Sequence, residues 1–140
     1  MKRSIFCSLL ALGVAGWVSA AGSVQSAQPL LATNAITPGN WRIQTEGMPS
    51  RTICLGDILP LLQLQHPQQL CSRFTIVDKP DRMTVHYSCA SAGWGRTSLL
   101  VSTPRLVMVD TQGIARGEPF AYEAEARRIG ECDPASRAVR

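Results

Sequence analysis

The run Cys71–Cys89, "CSRFTIVDKPDRMTVHYSC", decides how this chain is read. Two alternating stretches flank a polar turn, "DKPDR", and period-two alternation rich in Thr, Val, Ile, Phe and Tyr is the pattern of half-buried strands. In the second stretch Met83, Val85, Tyr87 and Cys89 share one face, while Arg82, Thr84, His86 and Ser88 take the other. A hairpin centred on Pro80 pairs residues whose numbers sum to 160, which puts Cys71 directly across from Cys89.

The same period continues on both sides. Upstream, "TPGN" is a turn signal, and "NWRIQTE" alternates Trp41, Ile43 and Thr45 against Arg42, Gln44 and Glu46. After the turn "GMPS", the short strand "RTICL" completes a first hairpin. Downstream, "RTSLLVST" and "RLVMV" continue the β pattern across Pro104, "DTQGIARGEP" reads as a loop, and "FAYEAEARRIGEC" reads as a last strand. Its Glu, Ala and Arg content would suit a helix, but Phe120, Tyr122, Ala124 and Ala126 alternate with Glu123, Glu125 and Arg127.

One segment breaks the period. In "GDILPLLQLQHPQQL", Asp57 can cap a helix start and Pro60 fits a first turn. Ile58, Leu61, Leu62 and Gln65 then share a face, and Pro67 ends the helix. An apolar helix face of this kind covers a core; a mobile lid is the alternative. The expected fold is therefore mainly β (α+β): an antiparallel meander sheet, curved or partly closed, with one short covering helix and two disulfides.

The N-terminus carries a different message. Lys2 and Arg3 precede an apolar run from Ile5 to Val18, and small residues follow. That is the layout of a secretory signal peptide over residues 1–21. The run falls short of the ~20 apolar residues a spanning helix needs, so the processed chain is not expected to be an integral membrane protein. Residues 22–36 read as a flexible lead-in, 37–133 as a single β-rich domain and 134–140 as a disordered tail. Localisation is expected to be periplasmic or secreted.

Charge argues against a nucleic-acid partner. The chain has 14 Lys and Arg against 10 Asp and Glu, and losing Lys2 and Arg3 leaves 12 against 10. These charges are scattered, without a run that could track phosphates.

Cys7 leaves with the signal, so the mature chain keeps Cys54, Cys71, Cys89 and Cys132. An even count in a small exported domain implies disulfides. Zinc or redox sites want close pairs such as C-x-x-C, whereas the spacings here are 17, 18 and 43 residues. With Cys71 opposite Cys89, three further strands of a meander carry the chain to the far end, leaving Cys54 to meet Cys132. The alternative joins Cys54 to Cys71 and Cys89 to Cys132. Each bridge is worth roughly 3 to 4 kcal/mol in the chain-entropy model.

Taken in order, the Pro38-Gly39-x-Trp41 start, the four cysteines and the closing Arg128-x-Gly130-x-Cys132 resemble a bacterial exported family catalogued as domain of unknown function 3617. The resemblance spans about Thr37 to Cys132. It implies a Gram-negative envelope protein and supplies no catalytic residues. This chain departs from the family's glycine-centred hairpin turn by carrying Lys79-Pro80-Asp81.

Chemical motifs are sparse. No G-x-S-x-G, H-E-x-x-H or phosphate loop occurs. His66 and His86 lack neighbours at metal-ligand spacing and read as solvated surface residues. "GWG" at Gly93 to Gly95 reads as a tight turn whose ring folds onto the sheet, or else as a ligand-contact loop. Glu123 and Glu125 share a face, and the adjacent Arg127 makes that face a solvated one.

No catalytic residue, metal ligand or cofactor is therefore expected. Two function classes remain: a structural or protein-interaction module with an envelope partner, and a small apolar-ligand or lipid binder using the concave face of the sheet. The possible contact residues are Trp41, Tyr87, Trp94 and Tyr122, with Met83, Val85 and Phe120 beside them in a binder. Intact-mass measurement without reduction should find the processed chain four hydrogens lighter than its reduced form. Free thiols in the mature protein would contradict the two bridges.

Overall fold

Alternation between apolar and polar residues runs through seven strands of the computed structural model, which describes residues 31–67 and 69–133. The strands are β1 (Gly39–Thr45), β2 (Arg51–Leu55), β3 (Ser72–Lys79), β4 (Arg82–Ser88), β5 (Gly93–Thr103), β6 (Leu106–Ala115) and β7 (Glu118–Gly130). They form one antiparallel sheet in the order β2-β1-β7-β6-β5-β4-β3. β3 through β7 is an unbroken meander, β1 docks on β7, and β2 and β3 remain as the two edges. The sheet does not close into a barrel.

One face is covered. Trp41, Ile43, Met83, Val85, Leu99, Val107, Val109, Ala124 and Ala126 project into a common core with Leu55, Ile58, Leu61, Leu62 and Leu64. The latter group belongs to the connection between β2 and β3, which must cross the sheet because its ends lie at opposite edges. Its helix, α1 (Leu59–Leu62), is a single turn. Asp57 starts it, the Oδ1 atom accepting the Leu59 N–H at 2.8 Å. The helix stops well before Pro67, because the Gln63 side chain takes over: its amide donates to the carbonyls of His66 and Gln69, each at 3.1 Å.

The register of the β3–β4 hairpin contains a compensation. Near the cysteines the pairing is as expected, with Ser72 opposite Ser88 and Arg73 opposite Tyr87. At the turn end it shifts by one, and Lys79 pairs with Arg82 across the two-residue turn Pro80-Asp81. A bulge between Thr75 and Val77 absorbs the difference; such an extra residue locally bends and twists a strand. Cys71 and Cys89 thus remain opposite, joined with Cα atoms 4.1 Å apart. The second bridge joins Cys54 to Cys132 at 5.4 Å between Cα atoms.

Three expectations are corrected. The lead-in read over residues 22–36 is built into the fold from residue 31 onward. Leu31–Asn34 form a 3-10 turn, and Ala32 and Ile36 are buried against the core. Two small apolar side chains four residues apart suffice to anchor it. The supposed loop 110–119 is mostly strand: β6 and β7 meet in a two-residue turn, Arg116-Gly117, with φ of 52° and 84°. Both central residues on the positive side of φ make this the tight hairpin type that suits twisted strands. "GWG" is no turn, since it opens β5. Residues 1–30, to which the signal peptide and the rest of the lead-in were assigned, and the tail 134–140 lie outside the described residues.

The two bridges close very different lengths of chain, 78 and 18 residues. Loop-closure entropy then assigns ~4.5 kcal/mol to Cys54–Cys132 and ~3 kcal/mol to Cys71–Cys89. The double variant Cys54→Ser/Cys132→Ser should therefore lose more of its urea midpoint than Cys71→Ser/Cys89→Ser. The reverse order would show that the entropic account fails here.

Candidate functional site

The two faces of the sheet offer different chemistry. On the covered face a polar cluster clamps the crossing connection. His66 is 4% exposed, and its Nε2 lies 3.0 Å from the Ala92 carbonyl oxygen. A carbonyl can only accept, so Nε2 carries the proton. Nδ1 then accepts from the Tyr87 hydroxyl at 3.1 Å. The ring also stands edge-on to Tyr87 and Phe120. His66 is therefore no solvated surface residue, as expected from sequence, but a buried hydrogen-bonding one. The apolar context of Tyr87 and Phe120 excludes water around it.

Two cations tie the same segment down. Arg51 donates through Nη2 to the Leu64 carbonyl at 3.1 Å, and its positive charge acts on the Tyr122 hydroxyl. Arg73 donates through Nη2 and Nε to Gln63 Oε1 at 2.7 and 3.2 Å. The glycines of "GWG" serve this cluster: a Cβ at Gly95 would overlap the Tyr87 hydroxyl, and one at Gly93 would run into the Ile114 carbonyl.

Of the four contact residues expected from sequence, three are on this side and do not form a site. Trp41 and Tyr87 are fully buried, Trp41 donating from Nε1 to the Thr37 carbonyl at 3.2 Å. Tyr122 is half-buried beside Arg51. Met83 and Val85 are likewise sealed within the core, and Phe120 is half-buried against His66.

Trp94 alone reaches the other, open face. It is 43% exposed, with its ring 5.5 Å from that of His86 at a 30° tilt. The open face is built from register rows across the central strands. Arg82, Leu100, Met108 and Glu125 stand side by side on β4, β5, β6 and β7. Thr84, Ser98, Asp110 and Glu123 form the next row. Leu100 and Met108 are each 39% exposed, and a groove of about 260 Å³ runs between these rows. Arg82 lies at one side of it and the carboxylates of Asp110 and Glu123 at the other.

Sequence reasoning overlooked Leu100 and Met108, although a signal existed. "SLLV" and "LVMV" place apolar residues next to one another in strands, and a pleated strand must then send one of each pair to the far face. Glu123 and Glu125 do share a face, as read, and Glu125 pairs with Arg127 at 3.0 Å.

Among the described residues no group of three or more His, Cys, Asp or Glu side chains is placed to hold a metal ion, and no helix is long and apolar enough to cross a membrane. No family model, curated protein or solved structure matches the chain.

Burial pushes the Tyr87 hydroxyl up to about 12, with Tyr122 adding to the rise and the Thr111 hydroxyl opposing it. Tyr122 is raised too, again by burial, with Arg51 opposing. A group whose folded pKa exceeds its unfolded value contributes stability that is complete below the unfolded value, here 10.0, and is lost as pH climbs through the folded one. Stability should accordingly fall between pH ~10 and ~12, and tyrosinate absorbance should rise late and together with unfolding. An early, non-cooperative rise would contradict the buried placement of Tyr87.

Proposed function

We propose that this protein is an exported module of the bacterial cell envelope that works by interaction through the open face of its sheet, without a catalytic role. The observation that carries this reading is the asymmetry of the two faces. One is sealed by the crossing connection; the other presents Leu100 and Met108 at a groove flanked by opposite charges, with Trp94 exposed farther along β5. Apolar side chains left on a rigid surface in this way mark interaction sites.

Two disulfides fit an oxidising compartment outside the cytoplasm, and the charged-then-apolar N-terminus supports export into it. The resemblance to domain of unknown function 3617 supports a Gram-negative envelope setting. Its end motifs also meet physically: Asn40 pairs with Gly130, Trp41 with Arg128, and Arg128 Nε donates to the Pro38 carbonyl at 2.8 Å. An apolar-ligand role for the covered face has little support, because Trp41, Met83, Val85 and Tyr87 fill it with their own side chains.

The test is photo-crosslinking in cells, with a photoreactive residue at Met108 on the open face or at Gln69 on the crossing connection. A discrete adduct from position 108 and none from 69 is the expected result. Adducts from both positions alike, or from neither, would remove the open face as the working surface.

A further inference from the structure

The open face carries a charge pattern that is complementary to itself. Its row Arg82, Leu100, Met108, Glu125 reads cation, apolar, apolar, anion across four neighbouring strands. We propose that this face docks on the same face of a second copy of the chain, about a two-fold axis parallel to the strands and lying between β5 and β6. The proposal rests on the reading that the open face is the interaction surface, and names its partner.

The rotation places β5 over β6 and β4 over β7 of the second copy. Arg82 then faces Glu125, and Leu100 faces Met108, each pair occurring twice as an isologous interface requires. In the next row Ser98 faces Asp110, while Thr84 is 5% exposed and its hydroxyl bonds Ser98 within the chain at 3.0 Å. Arg82, Arg96, Asp110 and Glu123 make no ion pair with described residues of their own chain, whereas Glu125 already pairs with Arg127 at 3.0 Å on the exposed surface. Asp110 and Glu123 stand directly opposite each other on adjacent strands, a like-charge arrangement that is unfavourable in isolation. A cationic and hydroxyl-bearing partner surface relieves it.

The groove of about 260 Å³ lies between the two central rows and faces its own copy across the axis, so the apolar contact is made by Leu100 on Met108. Stacked sheets cross at about 30°, so matching matters most close to the axis, where these rows lie. Four overlapping strands of about 4.8 Å width each and about seven residues long give a face of roughly 19 by 23 Å. Two such faces bury on the order of 1,000 Å², the low end for specific association, which points to a dimer in the micromolar range.

The measurement is sedimentation equilibrium on the disulfide-intact protein from micromolar to a few hundred micromolar, comparing wild type, Arg82→Glu and Glu125→Arg. Wild type should dimerise, and each variant alone should associate at least about tenfold more weakly, since like charges then oppose across the interface. An equimolar mixture of the two variants should recover a one-to-one dimer, because both pairs are again of opposite sign. Unchanged thermal midpoints would show that folding is not the cause. A monomeric wild type, variants that associate as well as wild type, or a mixture that recovers nothing would each overturn the proposal. A monomeric protein that still crosslinks from position 108 to a different envelope component would overturn the second copy while leaving the interaction face in place.

Discussion

The connection from β2 to β3 has to travel from one edge of the sheet to the other. Six strand spacings of about 4.8 Å make that journey ~29 Å, and residues 56–71 have slack to spare at about 3.3 Å each when extended. The slack is taken up by the turn of α1 and by the bends held by Gln63 and His66. This segment brings Ile58, Leu61, Leu62 and Leu64 over the apolar face, so the core exists only while the crossing is in place. The two disulfides flank it. Cys54 lies in β2 just before the crossing and is tied to Cys132 beyond β7, while Cys71 lies just before β3 and is tied to Cys89 beyond β4.

Much of this was legible in the sequence, for identifiable reasons. Strand periodicity is local, so β1, β4 and β7 could be read from alternation alone. The cysteine pairing followed from one hairpin register, although the route held an uncounted step: the turn shifts the register by one, and the bulge at Ile76 shifts it back. What escaped was tertiary. Nothing near His66 in the sequence announces Tyr87, Ala92 or Phe120 as its surroundings. Ala32 and Ile36 are too few to show a period, yet the core claims both. Trp94 between two glycines reads as a turn in the sequence, yet it opens β5. Its flanking glycines answer to Tyr87 and Ile114 across the sheet.

The polar groups under the crossing show why the connection is rigid. Among the described residues no buried side-chain nitrogen or oxygen lacks a hydrogen-bond partner. Thr97 and Thr111 satisfy each other at 2.8 Å beneath the cover, while His66, Tyr87, Arg51, Gln63 and Arg73 bind backbone or one another around it. A fully satisfied buried network specifies one arrangement, since any displacement strands a donor or acceptor away from water. The open face carries only isolated pairs, Thr84 with Ser98 at 3.0 Å and Arg127 with Glu125 at 3.0 Å, beside its apolar residues.

The disulfide order has a consequence for how the molecule is made. The pairing is nested: Cys71–Cys89 lies wholly inside the loop closed by Cys54–Cys132. A chain delivered from its N-terminus presents Cys54 and Cys71 first, and oxidation as they emerge would join those two. Cys54 finds its true partner only when the last strand has arrived, and β1 lacks β7, one of its two neighbours, until then. Early oxidation therefore traps a chain that cannot lay its crossing segment across the sheet, and only thiol–disulfide exchange releases it. A Cys54–Cys71 bridge would have to be undone before the nested native pairing could form.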